Sequence, residues 1–145
     1  MTATPASVNG DGLSRTVIRV RYCETDAMGY LHHGEYANYF EVARTEALRE
    51  LGGCYRDLEA AGYYLVVAEL TTKFRRPARY DELLTITTRV TAASAVKLVH
   101  EYEIRRDEIL LTTARSVLAC VDREGTIQRM SEDLTNRLAS IVSPG

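Results

Sequence analysis

A single helix-period segment stands alone among strand-period segments, and that imbalance constrains the fold most. Tyr36, Phe40, Ala43, Ala47 and Leu51 recur at helical spacing over Glu35 to Leu51 and make one apolar stripe. Glu35 lies in the first turn, where a carboxylate complements the amide end of the helix, and Gly52-Gly53 supplies a stop. Glu46 and Arg49 are spaced for an exposed ion pair. Before the helix, Thr16 to Tyr22 alternates, with Ile18, Val20 and Tyr22 on one face and Arg19 and Arg21 on the other. Four strand-like runs come after it, at about Tyr64 to Phe74, Leu83 to Thr91, Ala95 to Arg105 and Ile109 to Val121. Arg106-Asp107-Glu108 is a polar connector suited to a hairpin, and Glu132 to Ile141 reads as a short last helix. One long helix followed by strands with short connections defines an α+β layer fold with a largely antiparallel sheet.

The chain has 145 residues, of which 46% are hydrophobic, enough for one domain with its own core. We expect that domain over residues 14–145. Residues 1–13 read as a flexible tail, because MTATPASVNGDG has neither the basic start nor the apolar core of a secretory signal. A net charge of −2 argues against a general nucleic-acid surface. No apolar run approaches the ~18 residues of a membrane span. Cys23, Cys54 and Cys120 are odd in number and lack CxxC spacing, which argues against a disulfide framework and a zinc site and points to a reducing cytoplasm.

The chemistry concentrates between the first strand and the helix. Asp26, Gly29, His32 and His33 stand within a few residues of a helix N-terminus, which presents unpaired amides and roughly +0.5 charge. A carboxylate at Asp26 can attack a carbonyl or take a proton from an attacking water. The amides can hold the oxygen that becomes negative. A lone aspartate more often caps a turn, and a histidine at a helix mouth often only meets solvent. Adjacent histidines rarely converge on one metal ion, and no further ligands stand at a familiar spacing, so no metal is expected. Cys23 reads as a small strand hydrophobe. Glu41 reads as an i, i+3 partner of Arg44. Lys73, Arg75, Arg76 and Arg79 cluster around Pro77, either as a solvated strand end or as a phosphate site.

Tyr22, Thr25, Asp26, Gly29, His33, Tyr36, Tyr39 to Glu41 and Ala43 to Glu46 together resemble the active-site motif of the hotdog-fold acyl-CoA thioesterases. The branch is that of 4-hydroxybenzoyl-CoA thioesterase and the Tol-Pal-associated thioesterase. Pro77 to Leu84, PARYDELL, resembles the family's second signature, and the likeness runs over about Val17 to Arg129. The resemblance implies a curved antiparallel sheet wrapped around one central helix. It also implies a homo-oligomer, dimer or tetramer, with active sites between subunits. Asp26 then falls at the catalytic aspartate, the His33 amide at the oxyanion site, and Gly29 and Tyr36 at motif positions. The His33 side chain assists, and His32 is structural. Glu41 falls eight residues beyond the oxygen-binding amide, where another branch carries its catalytic glutamate, which makes it the reserve acid.

The expected reaction is hydrolysis of an acyl-CoA or acyl-carrier-protein thioester to acid and thiol, without a cofactor. The basic cluster would meet CoA phosphates. The 4-hydroxybenzoyl type holds those phosphates after its third strand, where this chain has only Ala92-Ala93-Ser94-Ala95-Val96. Met28 stands where relatives often carry a smaller residue and is expected to narrow the acyl pocket. The rival readings are a hotdog dehydratase or hydratase using His33 and Glu41, and a non-catalytic acyl-binding module.

Overall fold

Burial of one aromatic helix face organises the chain. The computed structural model describes residues 3–8 and 13–142. Strand β1 (Ala3–Val8) and strand β2 (Leu13–Arg19) come first, then helix α1 (Glu35–Glu50) and the short helix α2 (Tyr55–Ala60). Strands β3 (Tyr64–Phe74), β4 (Leu83–Ala93), β5 (Lys97–Arg106) and β6 (Ile109–Val121) follow, and helix α3 (Glu132–Ser140) closes the order. The described strands form one antiparallel sheet in the order β1-β2-β4-β5-β6-β3. This is the hotdog architecture that the family resemblance implies. Arg106 and Ile109 flank a two-residue turn in which Asp107 takes φ +52°, a left-handed conformation that aspartate tolerates better than most residues.

Tyr36, Tyr39, Phe40 and Ala43 of α1 are buried against Ile18, Leu84, Ile86, Tyr102 and Ile104 of the sheet. The Phe40 and Tyr102 rings lie 4.6 Å apart. Each such side chain removed from water contributes about 1.5–3 kcal/mol. A second cluster joins Leu138 of α3 to Val90, Leu98, Leu118 and Cys120. The two clusters hold α1 and α3 on the same face of the sheet.

Three sequence expectations change. Residues 3–8 of the expected tail pair with β2 as an edge strand; residues 1–2 and 9–12 of it lie outside the described residues. Strand β2 ends at Arg19 rather than Tyr22, because the chain turns into a single 3-10 turn at Tyr22–Glu24. Tyr22 is consequently 77% exposed, and Glu24 takes the inward position at 1% exposure. Helix α2 follows the double glycine without an apolar period that would announce it, and none of its residues is buried.

His100 on β5 is buried beside Tyr102, and its Nδ1 has no hydrogen-bond partner. Desolvation, and then the nearby Arg44 charge, lower its pKa from 6.5 to about 3. The unfolded chain therefore takes up a proton near pH ~6.5 that the folded chain refuses until about pH 3. This stabilisation is complete above pH ~6.5 and falls as pH drops through that window, by up to about 1.4 kcal/mol per pH unit. In urea titrations at several pH values, His100→Leu should show a shallower loss of stability over that range than wild type. Parallel curves would contradict the assignment.

Candidate active site

After the 3-10 turn the chain makes a small hairpin. Thr25 bridges Leu31, and the Asp26 amide donates to the Tyr30 carbonyl at 2.8 Å. Gly29 closes the turn at φ +76°, where any side chain is strained. Asp26 Oδ1 accepts the amides of Met28 at 2.9 Å and Tyr30 at 3.1 Å. The turn-capping role of an aspartate is thus real here, but it occupies one oxygen. Oδ2 has no hydrogen-bond partner among the described residues, and Asp26 lines an open groove.

The hairpin is fastened to the mouth of α1. The Leu31 amide donates to Ala78 O at 2.7 Å, and the His32 amide to Glu24 O at 2.8 Å. His32 Nδ1 accepts the Gly34 amide at 2.9 Å, so this imidazole caps the approach to the helix. The His33 ring stacks on it with centroids 4.2 Å apart. The His33 amide donates to no group among the described residues. A free amide at the positive end of α1 is suited to an oxyanion.

Asp26 and His33 face one groove of about 280 Å³. Tyr30, Leu31, Tyr36, Phe74, Arg75, Arg76 and Pro77 complete its lining. Tyr36 is buried with its ring edge-on to Phe74 at 4.9 Å, and burial raises its phenol pKa. The amides of Arg75 and Arg76 both donate to Leu111 O, which pins the end of β3 at the groove.

The basic cluster divides. Arg75 and Arg76 reach the groove. Lys73 does not; it lies in a depression with Thr71, Glu101, Thr113 and Arg115, which Arg75 also lines. The Arg79 guanidinium sits 4.7 Å over the Tyr30 ring, at the lip of the hairpin. None of these four cations has a carboxylate partner among the described residues, whereas Arg19, Arg21, Arg105 and Arg106 each have one. Glu41 is outside the groove, 66% exposed and 3.9 Å from Arg44. Met28 and Cys23 are exposed and also outside the groove. A second cavity, of about 20 Å³, lies at the far end of α1 between Leu48, Leu98, Leu138, Arg44 and His100; it has room for about one water and none for an acyl group. Among the described residues no three His, Cys, Asp or Glu side chains converge as metal ligands. Sequence reasoning missed Tyr30, Leu31, Phe74 and Pro77 as groove walls and Glu24 beneath the site. Only the proximity of Phe74 and Pro77 to the arginines signalled them.

A sheet wrapped on one helix, with an aspartate hairpin at the helix mouth, places the chain in the hotdog class. A family described as the thioesterase superfamily matches residues 28–113, and the chain belongs to it. It is a thioester hydrolase by that membership. The acyl-CoA thioester hydrolase YbgC of Escherichia coli is 36% identical over 111 residues, covering 76% of this chain and 83% of that one. The acyl-CoA thioesterase YbgC of Haemophilus influenzae is 35% identical over 106 residues, covering 72% and 78%. A DHNA-CoA thioesterase from Staphylococcus aureus superposes with a TM-score of 0.86 at 32% identity, over 89% of this chain and 90% of that one.

Proposed function

We propose that the groove hydrolyses acyl-CoA thioesters, with Asp26 as nucleophile or general base and the His33 amide as oxyanion donor. One observation carries this reading: the unpartnered Asp26 Oδ2 and the unpartnered His33 amide belong to residues lining the same groove. As a base, Asp26 takes a proton from water while the water oxygen bonds to the acyl carbon. The C–S bond then breaks, and the thiolate takes up the proton. As a nucleophile, the Asp26 carboxylate bonds to the acyl carbon and the C–S bond breaks to release the thiolate; water then cleaves the mixed anhydride to the free acid and Asp26, whose proton passes to the thiolate. In both routes the negative charge on the acyl oxygen peaks beside the helix mouth, where a positioned donor lowers the barrier by about 3–4 kcal/mol. No cofactor enters either route. The imidazole of His33 lies at hand to orient water or protonate the thiolate. Glu41 is the reserve acid, but its contact with Arg44 outside the groove gives the dehydratase reading no support.

Asp26→Asn should lower kcat by at least about 100-fold with little change in melting temperature. His33→Ala keeps the amide and should lose about tenfold or less. Near-wild-type turnover by Asp26→Asn in a free-thiol assay would overturn the mechanism. Equal losses would make the imidazole essential.

The uncommitted cations support CoA as the carrier, because its phosphates need such charge. Arg75→Ala and Arg76→Ala should raise KM for acyl-CoA severalfold with kcat nearly constant, the mark of lost uniform binding. Lys73→Ala should do little. Acyl-pantetheine, which lacks the nucleotide, should respond neither to these changes nor to salt, which screens exposed charge beyond about 8–10 Å. An unchanged KM in every variant would return the cluster to a solvated strand end.

Self-association completes this picture. Strand β3 ends the sheet, eleven residues long, with Val66, Val67, Leu70 and Phe74 exposed along it. A long apolar edge of this kind invites pairing with a second copy, and a two-fold β3 contact would bring the partner close to Arg75 and the groove. The free cysteines fit a reducing cytoplasm. Light scattering at micromolar protein should give at least about twice 16.2 kDa, and Leu70→Lys should shift it toward the monomer. A wild-type mass of 16.2 kDa would contradict the shared edge.

A further inference from the structure

Glu24 is the one buried carboxylate in the described core, at 1% exposure, and the mechanism gives it no task. Burying such a group costs several kcal/mol unless its oxygens are satisfied. Its Oε1 accepts two bonds at 2.8 Å, from Tyr39 Oη and from the Arg21 amide. Its Oε2 meets the Arg21 guanidinium at 3.5 Å. Its carbonyl accepts the His32 amide. Tyr39 is fully buried on α1, three residues beyond the groove-lining Tyr36, and both desolvation and the Glu24 bond raise its phenol pKa. One residue thus grips α1 through its side chain and the residue before His33 through its carbonyl, two positions ahead of Asp26.

We propose that the Tyr39–Glu24 hydrogen bond is the strut that sets the Asp26 hairpin in register with the mouth of α1, making Glu24 and Tyr39 positioning residues for hydrolysis. This rests on the hydrolytic reading of the groove. Asp26 and the His33 amide come from different elements, and their relative placement must hold while a thioester sits between them. A misplacement of about 1 Å in such an arrangement costs on the order of 100-fold. The strut works as a hydrogen bond and does not need the charge. A glutamine Oε1 can accept from both Tyr39 and Arg21, losing only the 3.5 Å contact.

The test compares four variants. Tyr39→Phe and Glu24→Ala should each lower kcat about tenfold with KM within about twofold, whereas Glu24→Gln should stay close to wild type. Tyr102→Phe removes another buried hydroxyl contact, the 2.6 Å bond to Ser116, and should lower the melting temperature comparably while keeping kcat. Hydrogen exchange gives a readout free of turnover. Tyr39→Phe should speed exchange of the Tyr30 and His32 amides by about tenfold or more, with the α1 amides beyond Phe40 unchanged. If wild type cleaves no acyl-CoA, the hydrolytic reading fails by itself and exchange decides the strut. Unchanged exchange at Tyr30 and His32, or Glu24→Gln as damaging as Glu24→Ala, would overturn the proposal.

Discussion

The packing of α1 into the sheet is the constraint on which the other features depend. Tyr36, Tyr39 and Phe40 occupy consecutive positions of one buried face, and β2, β4 and β5 supply the surface that receives them. A helix so held cannot slide or rotate without opening cavities in the core, each costing kcal/mol amounts. Its N-terminus is therefore a fixed point in space. The hairpin carrying Asp26 is then tied to that point by Glu24, His32 and Ala78 through backbone and side-chain bonds. The candidate site lies where a rigid helix end meets a short, over-determined loop, and neither element alone would provide it.

Charge distribution adds direction to this geometry. Three arginines on the sheet are matched by carboxylates: Arg19 by Asp81, Arg105 by Glu103, Arg106 by Glu82. Arg75 and Arg76 are not matched among the described residues, and they line the same groove as His33 at the helix mouth. Two sources of positive potential thus flank one space, the helix dipole and a pair of guanidinium groups. An anionic substrate with a thioester at one end and phosphates at the other fits such a field. Leu31, Phe74 and Pro77 add apolar surface to the same groove.

The sequence was legible where structure follows from local period. The spacing of Tyr36, Phe40 and Ala43 marks α1, and alternation marks β3 to β6, because those elements bury one face against a common core. The reading failed where long-range contacts decide. Residues 3–8 carry no strand pattern of their own and gain strand form by pairing with β2. Tyr22 continues the alternation of Ile18 and Val20, yet the chain turns inward at Glu24 because Tyr39, fifteen residues away, offers a buried hydroxyl. The role of Asp26 was suggested by motif resemblance, whereas its split between a bonded Oδ1 and a free Oδ2 belongs to the folded turn. The four clustered cations look equivalent in sequence. In the fold Arg75 and Arg76 line the groove and Lys73 does not, while Arg75 also borders the depression that holds Lys73.

In the proposed mechanism Asp26 and the His33 amide act on the same carbonyl. A crystal structure of the Asp26→Asn variant with a non-hydrolysable acyl-CoA analogue, its sulfur replaced by methylene, tests this most directly. The analogue's carbonyl oxygen should lie about 2.7–3.1 Å from the His33 nitrogen, with residue 26 facing the carbonyl carbon. A carbonyl bound away from the mouth of α1, beside Glu41 or in the depression at Lys73, would contradict it.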